Sequence, residues 1–219
     1  MTREILVISA GVSEPSSTRL LADRLADATV AGVSTRGEAA NVNVLELKEL
    51  ARDLATAMTT GVPTPALIAA QEAAASADGV IAVTPVFAAS YSGLFKMFFD
   101  VLDPDALTGV PVLIAATAGT PRHSLVLDHA LRPLFSYLRA QVLPTGVFAA
   151  TEDFASVELP SRISRGAAEL AAALVADGGS VAGFGGPSNL ERPVRSGTAK
   201  DLGPVADFAS LLRGHTGTV

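Results

Sequence analysis

Residues 79–100 read GVIAVTPVFAASYSGLFKMFFD. The run Gly79-Val80-Ile81-Ala82-Val83 is apolar without alternation, the pattern of a strand covered on both faces of a parallel sheet. Pro85, which has no N–H for a ladder, is expected to end the strand. Small residues follow, and past Ser92-Gly93 the apolar spacing of residues 94–102 predicts an amphipathic helix. In an open α/β sheet, ligands bind outside the carboxyl ends of the strands. The loop inside this stretch is therefore the first place to expect a site.

Working outward, the same pattern recurs. Residues 5–9 form a continuous apolar run, followed by AGVSEPSST at 10–18. Leu21, Leu25 and Ala28 then mark a helix with one buried stripe, and Ser16 or Ser17 is its expected N-cap. Residues 42–47 alternate in part, which suits an edge strand. A short helix over 49–57 and an alanine-rich helix over 65–77 come next. A fourth strand is expected over 110–116, with Pro111 at its first positions, followed by the small-residue loop Thr117-Ala118-Gly119-Thr120-Pro121. Leu127, Leu131, Leu134 and Leu138 predict a helix in which Pro133 imposes a kink or a late start. A short fifth strand over 141–149 is broken by Pro144 and Gly146, and Ile163, Ala167, Leu170 and Leu174 mark the last helix.

Strands alternating with helices imply an α/β fold. The expected architecture is a doubly wound, five-stranded parallel sheet of order 2-1-3-4-5, the flavodoxin-like topology, with its crevice between strands 1 and 3. Residues 1–179 would make this domain, and the Gly- and Pro-rich residues 180–219 a C-terminal extension. The loops after strands 1, 3 and 4 would all leave the same sheet edge.

Composition narrows the function. The chain has 219 residues, 49% of them apolar and 17% charged, enough for a large core. No apolar stretch is long enough to span a membrane, and residues 1–8 lack the pattern of a signal peptide, so a cytoplasmic protein is expected. The absence of cysteine excludes disulfides, thiol catalysis and Cys-held metal clusters. A net charge of −6 argues against nucleic-acid binding.

The first loop combines hydroxyls with a helix N-terminus, which favours an anion. It has neither a Gly-x-Gly-x-x-Gly fingerprint nor a Walker lysine. A solvated turn with an ordinary cap is the plain alternative. After strand 3, Pro85, Val86, Phe87 and Tyr91 suit a planar heteroaromatic ligand, or else serve as core aromatics, the role expected of Phe98 and Phe99. Gly119 allows backbone to approach the ligand from the other side. His123 lies near the strand 4 loop and His129 within the next helix. No metal cluster and no catalytic triad stand out. So few reactive side chains suggest that a cofactor carries the chemistry.

Together, residues 9–18, TPVFAASYSGLFKMFFD, Thr117-Ala118-Gly119-Thr120 and Ala130-Leu131-Arg132-Pro133-Leu134 resemble the NAD(P)H-dependent FMN reductase family. The branch most resembled is the reductase components of two-component flavin-dependent monooxygenases. The resemblance implies that Ser9, Ser16, Ser17 and Thr18 hold the FMN phosphate. It implies that Pro85, Val86, Phe87 and Ala88 border the isoalloxazine, with Tyr91 and Ser92 in the same motif, and that Thr117, Ala118 and Gly119 meet its pyrimidine end. FMN and NADPH, or NADH, would be the cofactors, and a monooxygenase the partner receiving FMNH2. Arg19 and Arg122 are the candidates for a 2′-phosphate. Two positions depart from the family pattern: Phe87 stands where many relatives have Tyr, and Glu14 lies where Arg or Asn is common. The resemblance also places at Tyr91 an inserted residue that forms a π-type bulge in the following helix. A homodimer or homotetramer is expected to use the apolar surface of Leu94, Phe95, Met97, Phe98, Leu102 and Leu107. An FMN-containing quinone or azo reductase and a non-enzymatic FMN-binding module are the alternatives.

Overall fold

The structure is a computed structural model that describes residues 1–176. The expected boundary at 179 and the extension 180–219 lie outside the described residues. In chain order come β1 (Thr2–Ser9), α1 (Ser17–Ser34), β2 (Ala39–Glu46), α2 (Ala51–Thr60) and α3 (Pro65–Ser76). Then follow β3 (Gly79–Phe87), β4 (Ser90–Tyr91), α4 (Gly93–Asp100), β5 (Pro111–Ala118) and α5 (Arg132–Tyr137). β6 (Gln141–Val142), β7 (Val147–Ala150) and α6 (Glu158–Ala176) complete the series. No helix among the described residues is long and apolar enough to cross a membrane.

β1 lies between β2 and β3, and β3 pairs in turn with β5, all in parallel. The expected count of five strands becomes seven among the described residues. The fifth strand is two pieces on the same edge of β5: β6 pairs with Pro111 and Val112, and β7 with 115–118. Pro144 and Gly146 fall between them and break the ladder. The other extra strand is β4, which folds back antiparallel onto β3.

Side chains along the central strands alternate between two buried layers. Leu6, Ile8, Val80, Ala82, Val112 and Ile114 face the layer under α2, α3 and α4. Ile5, Val7, Ile81, Val83, Leu113 and Ala115 face the layer under α1 and α6. Both faces are dry, so nothing in these strands needs to be polar, and each large side chain contributes about 1.5–3 kcal/mol.

Pro85 does not end β3, contrary to expectation. The strand runs on to Phe87, with Pro85 opposite Thr117 as the last pair along β5. At the end of the ladder its missing N–H costs little. What read as a small-residue loop is a two-residue hairpin turn. Phe87 pairs with Ser90, and Ala88 and Ala89 between them have φ of 48° and 66°. Two successive left-handed residues match the twist of a tight hairpin, a turn that usually takes Asn-Gly.

α4 also departs from expectation. Ser92 caps it, its hydroxyl accepting from the Phe95 N–H at 3.2 Å, and Tyr91 lies in β4 rather than in a helical bulge. Among the described residues the π-helical turn is Leu127–Leu131, directly before α5. Pro133 lies where this turn passes directly into α5, at a point where the i→i−4 ladder is already interrupted, so its missing N–H costs little there. The apolar surface of α4 serves the chain's own core. Phe95, Phe98, Phe99, Leu102 and Leu107 are buried, with Phe99 against Phe95 at 4.8 Å and against Phe135 at 5.0 Å between ring centroids. Only Leu94 and Met97 stay half-exposed.

Candidate functional site

The loop after β1 folds back over the start of α1. Ser16 is the N-cap, accepting from the Arg19 N–H at 3.2 Å. A Cβ on Gly11 would stand 2.1 Å from the Ser16 hydroxyl oxygen, so only glycine leaves room for this closure. α1 has no acidic residue in its first turn, which leaves its positive end uncompensated. That end opens, with Val12, Ser13, Ser17 and Thr18, onto a cleft of about 250 Å³.

Pro85, Val86 and Phe87 form a second wall of the cleft, and Phe87 is 49% exposed. Thr84 steadies this wall, its hydroxyl oxygen accepting from the Ser92 N–H at 3.0 Å. Thr117, Ala118 and Gly119 line a third side, and an added Cβ on Gly119 would meet only open space. Thr18 and Thr117 join two of the walls through their hydroxyls, 2.8 Å apart and buried. Thr151 completes the lining from the end of β7. Its turn is held by Asp153, which accepts from the Ala150 N–H at 2.7 Å and from Arg162 of α6 at 2.5 Å.

Among the residues expected at the site, the cleft brings together Ser17, Thr18, Pro85, Val86, Phe87, Thr117, Ala118 and Gly119. It leaves out five. Ser9 is buried at the end of β1, with a hydroxyl that has no partner. Ser16 is occupied as the cap, and Ala88 sits at the hairpin tip. Tyr91 packs its ring against Phe95, 5.9 Å between centroids, and Ser92 caps α4. Val12, Ser13 and Thr151 are lining residues that the sequence did not single out. The signal for Thr151, a threonine directly after the run Val147-Phe148-Ala149-Ala150, was masked by the broken fifth strand.

None of the side chains lining the cleft carries an ionisable group. The charges nearby are engaged with one another. Glu14 points outward and pairs with Lys48 at 3.3 Å, so its carboxylate does not enter the cleft. Arg19 bonds Asp23 at 2.7 Å and also bonds Glu46. The Asp23 hydrogen bond, helped by Glu46, raises the Arg19 pKa against the opposing effect of burial. Burial pushes the Glu46 carboxyl up, but hydrogen bonds from Lys48 and Arg19 outweigh it and hold the group below its ordinary value.

The donor set fits a phosphorylated, planar ligand. An exposed Ser17 hydroxyl and an uncompensated helix N-terminus suit a phosphate. The apolar run ending in a half-exposed phenyl ring suits a flat heteroaromatic system.

Helices on both faces of a parallel sheet, β2 at its edge, and a cleft at the carboxyl ends of β1, β3, β5 and β7 define a flavodoxin-like domain. A profile of NADPH-dependent FMN reductases matches residues 3–155, and the chain belongs to that family. An FMN reductase (NADPH) of Pseudomonas aeruginosa is 39% identical over 194 residues, spanning 85% of this chain and 95% of that one. An NADH-dependent FMN reductase, SfnF, of Pseudomonas fluorescens is 39% identical over 170 residues, 77% of this chain and 88% of its own. The crystal structure of an oxidoreductase from Corynebacterium diphtheriae superposes with a TM-score of 0.78 at 60% identity, covering 80% of this chain and 98% of that one.

Proposed function

We propose that this protein is an NAD(P)H-dependent FMN reductase that passes a hydride from reduced nicotinamide to FMN. The observation that carries the reading is a cleft without an ionisable side chain, in a member of this family. A hydride transfer between two bound ring systems needs no protein acid or base, because the hydride carries both electrons and one proton's worth of hydrogen. The remaining proton comes from solvent. The protein's task is orientation and exclusion of water.

In this reading Ser13, Ser17 and Thr18, with the N-terminus of α1, hold the FMN phosphate. Pro85, Val86 and Phe87 border the isoalloxazine, and the backbone of Thr117, Ala118 and Gly119 meets its pyrimidine edge. Ser9, Ser16, Ala88, Tyr91 and Ser92 shape these walls from behind. FMNH2 then leaves for a partner monooxygenase in the cytoplasm, where reduced nicotinamides are available. The enzyme would work as a homodimer or homotetramer, with half-exposed Leu94 and Met97 the remaining apolar surface of α4 for a contact.

Purified protein tests the reading through NAD(P)H oxidation with and without added FMN. Colourless protein with strict dependence on added FMN is the expected result. Yellow protein that reduces quinones in ping-pong fashion would point instead to a bound-flavin quinone or azo reductase. Sedimentation at micromolar concentration checks the assembly.

A further inference from the structure

A second groove, of about 360 Å³, is built on the continuations of two segments that line the cleft. Ala89 and Ser90 at the hairpin tip form one wall, and Arg122, His123, Leu125 and His129 another. The same two chain segments supply walls to both depressions, with lining residues only a few positions apart. Phe87 lines the cleft and Ala89 the groove; Gly119 lines the cleft and Arg122 the groove. A molecule with one end in the cleft has its natural continuation here.

The groove differs from the cleft in chemistry. It carries one arginine and two imidazoles, in a protein whose net charge of −6 otherwise repels polyanions. Among the described residues Arg122 makes no ion pair or hydrogen bond, and no cluster suited to a metal ion includes His123 or His129. Beside these groups Leu125 is 61% exposed, an apolar surface without cover. A guanidinium and two imidazole rings next to an apolar shelf match an adenine base bearing a phosphate. Of the two arginines that the sequence offered for a 2′-phosphate, Arg19 is held by Asp23 and Glu46, while Arg122 is free in the groove.

We propose that this groove receives the adenosine 2′-phosphate end of NADPH. Arg122 binds the phosphate through its planar fork of donors, His123 and His129 add N–H donors, and the adenine lies on Leu125. The assignment rests on the reading of the cleft as the site of hydride transfer to FMN.

Steady-state kinetics of full-length Arg122→Ala and Leu125→Ser with NADPH and with NADH test it. Arg122→Ala should lower the ratio of kcat/KM for NADPH to that for NADH by roughly 10-fold or more, the loss expected of a charge-assisted contact. Arg122→Lys should recover part of it. Leu125→Ser should raise KM for both nucleotides together, since both carry adenine. 2′,5′-ADP should compete with NADPH in the native enzyme and weaken in Arg122→Ala, while 5′-AMP distinguishes base from phosphate. An unchanged nucleotide ratio, or an effect of Arg122→Ala on KM for FMN alone, overturns the assignment. If the native protein oxidises neither nucleotide with FMN, the hydride-transfer reading fails by itself. Calorimetry of 2′,5′-ADP then still decides the groove: binding lost in Arg122→Ala supports it, and no binding overturns it.

Discussion

The hydroxyl oxygens of Thr18 and Thr117 lie 2.8 Å apart, buried, between residues 99 positions apart in sequence. This bond ties the first turn of α1 to the end of β5, two of the walls of the cleft. Thr18→Val leaves the Thr117 hydroxyl buried without a partner, which costs about 1–3 kcal/mol. Thr117→Val should cost a similar amount. The double variant should lose less than the sum of the two, because neither partner is then stranded. Urea unfolding measures the cycle, and KM for FMN should rise in each single variant as the walls part.

Gly11 and Ser16 are matched in the same way, by contact. The 2.1 Å separation from a Gly11 Cβ to the Ser16 hydroxyl oxygen means that Gly11→Ala must displace the cap. Losing that cap costs about 1 kcal/mol, and the displaced loop should also raise KM for FMN. Adding Ser16→Ala removes the clashing atom. The double variant should therefore recover FMN binding toward that of Ser16→Ala alone, although the cap stays lost. Thermal unfolding and FMN titration separate the two effects.

Ala88 and Ala89 hold φ of 48° and 66°, where a Cβ costs about 1–2 kcal/mol. Glycine relieves that cost but gives up about 0.5–1 kcal/mol of unfolded-chain entropy. Ala89→Gly should therefore stabilise the protein by a few tenths to about 1 kcal/mol, and Ala89→Val should destabilise it. Urea midpoints check both.

These corrections show which physics a single sequence carries. The central strands were legible because burial on both faces leaves a continuous apolar run, as at Ile5-Leu6-Val7-Ile8 and Gly79-Val80-Ile81-Ala82-Val83. The edge position of β2 was legible from its partial alternation. Eight of the cleft's residues were legible for the same reason, since they sit at the carboxyl ends of those strands or shortly beyond them. The hairpin at Ala88-Ala89 was hidden because alanine gives no sign of positive φ. The π-helical turn at Leu127–Leu131 was hidden because one inserted residue leaves leucine spacing intact to the eye, and the proline after it offered a simpler explanation. Aromatic character does not say which way a ring faces, so the packing of Tyr91 against Phe95 was not legible either.

Glu46 gives a prediction in pH. Its carboxyl is held below the ordinary value of 4.5 in the folded protein, net of the upward push of burial, by hydrogen bonds from Lys48 and Arg19. The ionised form thus binds more favourably in the folded state. That contribution is complete at neutral pH and disappears as pH falls below 4.5 and through the lower folded value. Glu46→Gln should lower the melting temperature at pH 7, and the gap to native protein should close as the pH falls through this range. Melting curves across the acid range check the convergence. A gap that persisted at low pH would mean that Glu46 acts by packing instead of charge.

Phe87 separates binding from folding. It lines the cleft and is 49% exposed, so the folded core depends little on its ring. Aromatic packing against a flat ligand is worth about 0.5–1.5 kcal/mol beyond the buried area. Phe87→Ala should therefore raise KM for FMN by roughly 10-fold, with unfolding midpoints almost unchanged. Phe87→Tyr keeps the ring and adds a hydroxyl at the exposed end of the strand, so it should bind FMN at least as tightly as the native protein. Tyr91→Ala should do the reverse of Phe87→Ala. It removes a ring packed on Phe95 under the hairpin, so stability should fall first, and KM for FMN only through the displaced wall. Running both variants through urea unfolding and FMN titration assigns each aromatic to the cleft or to the core.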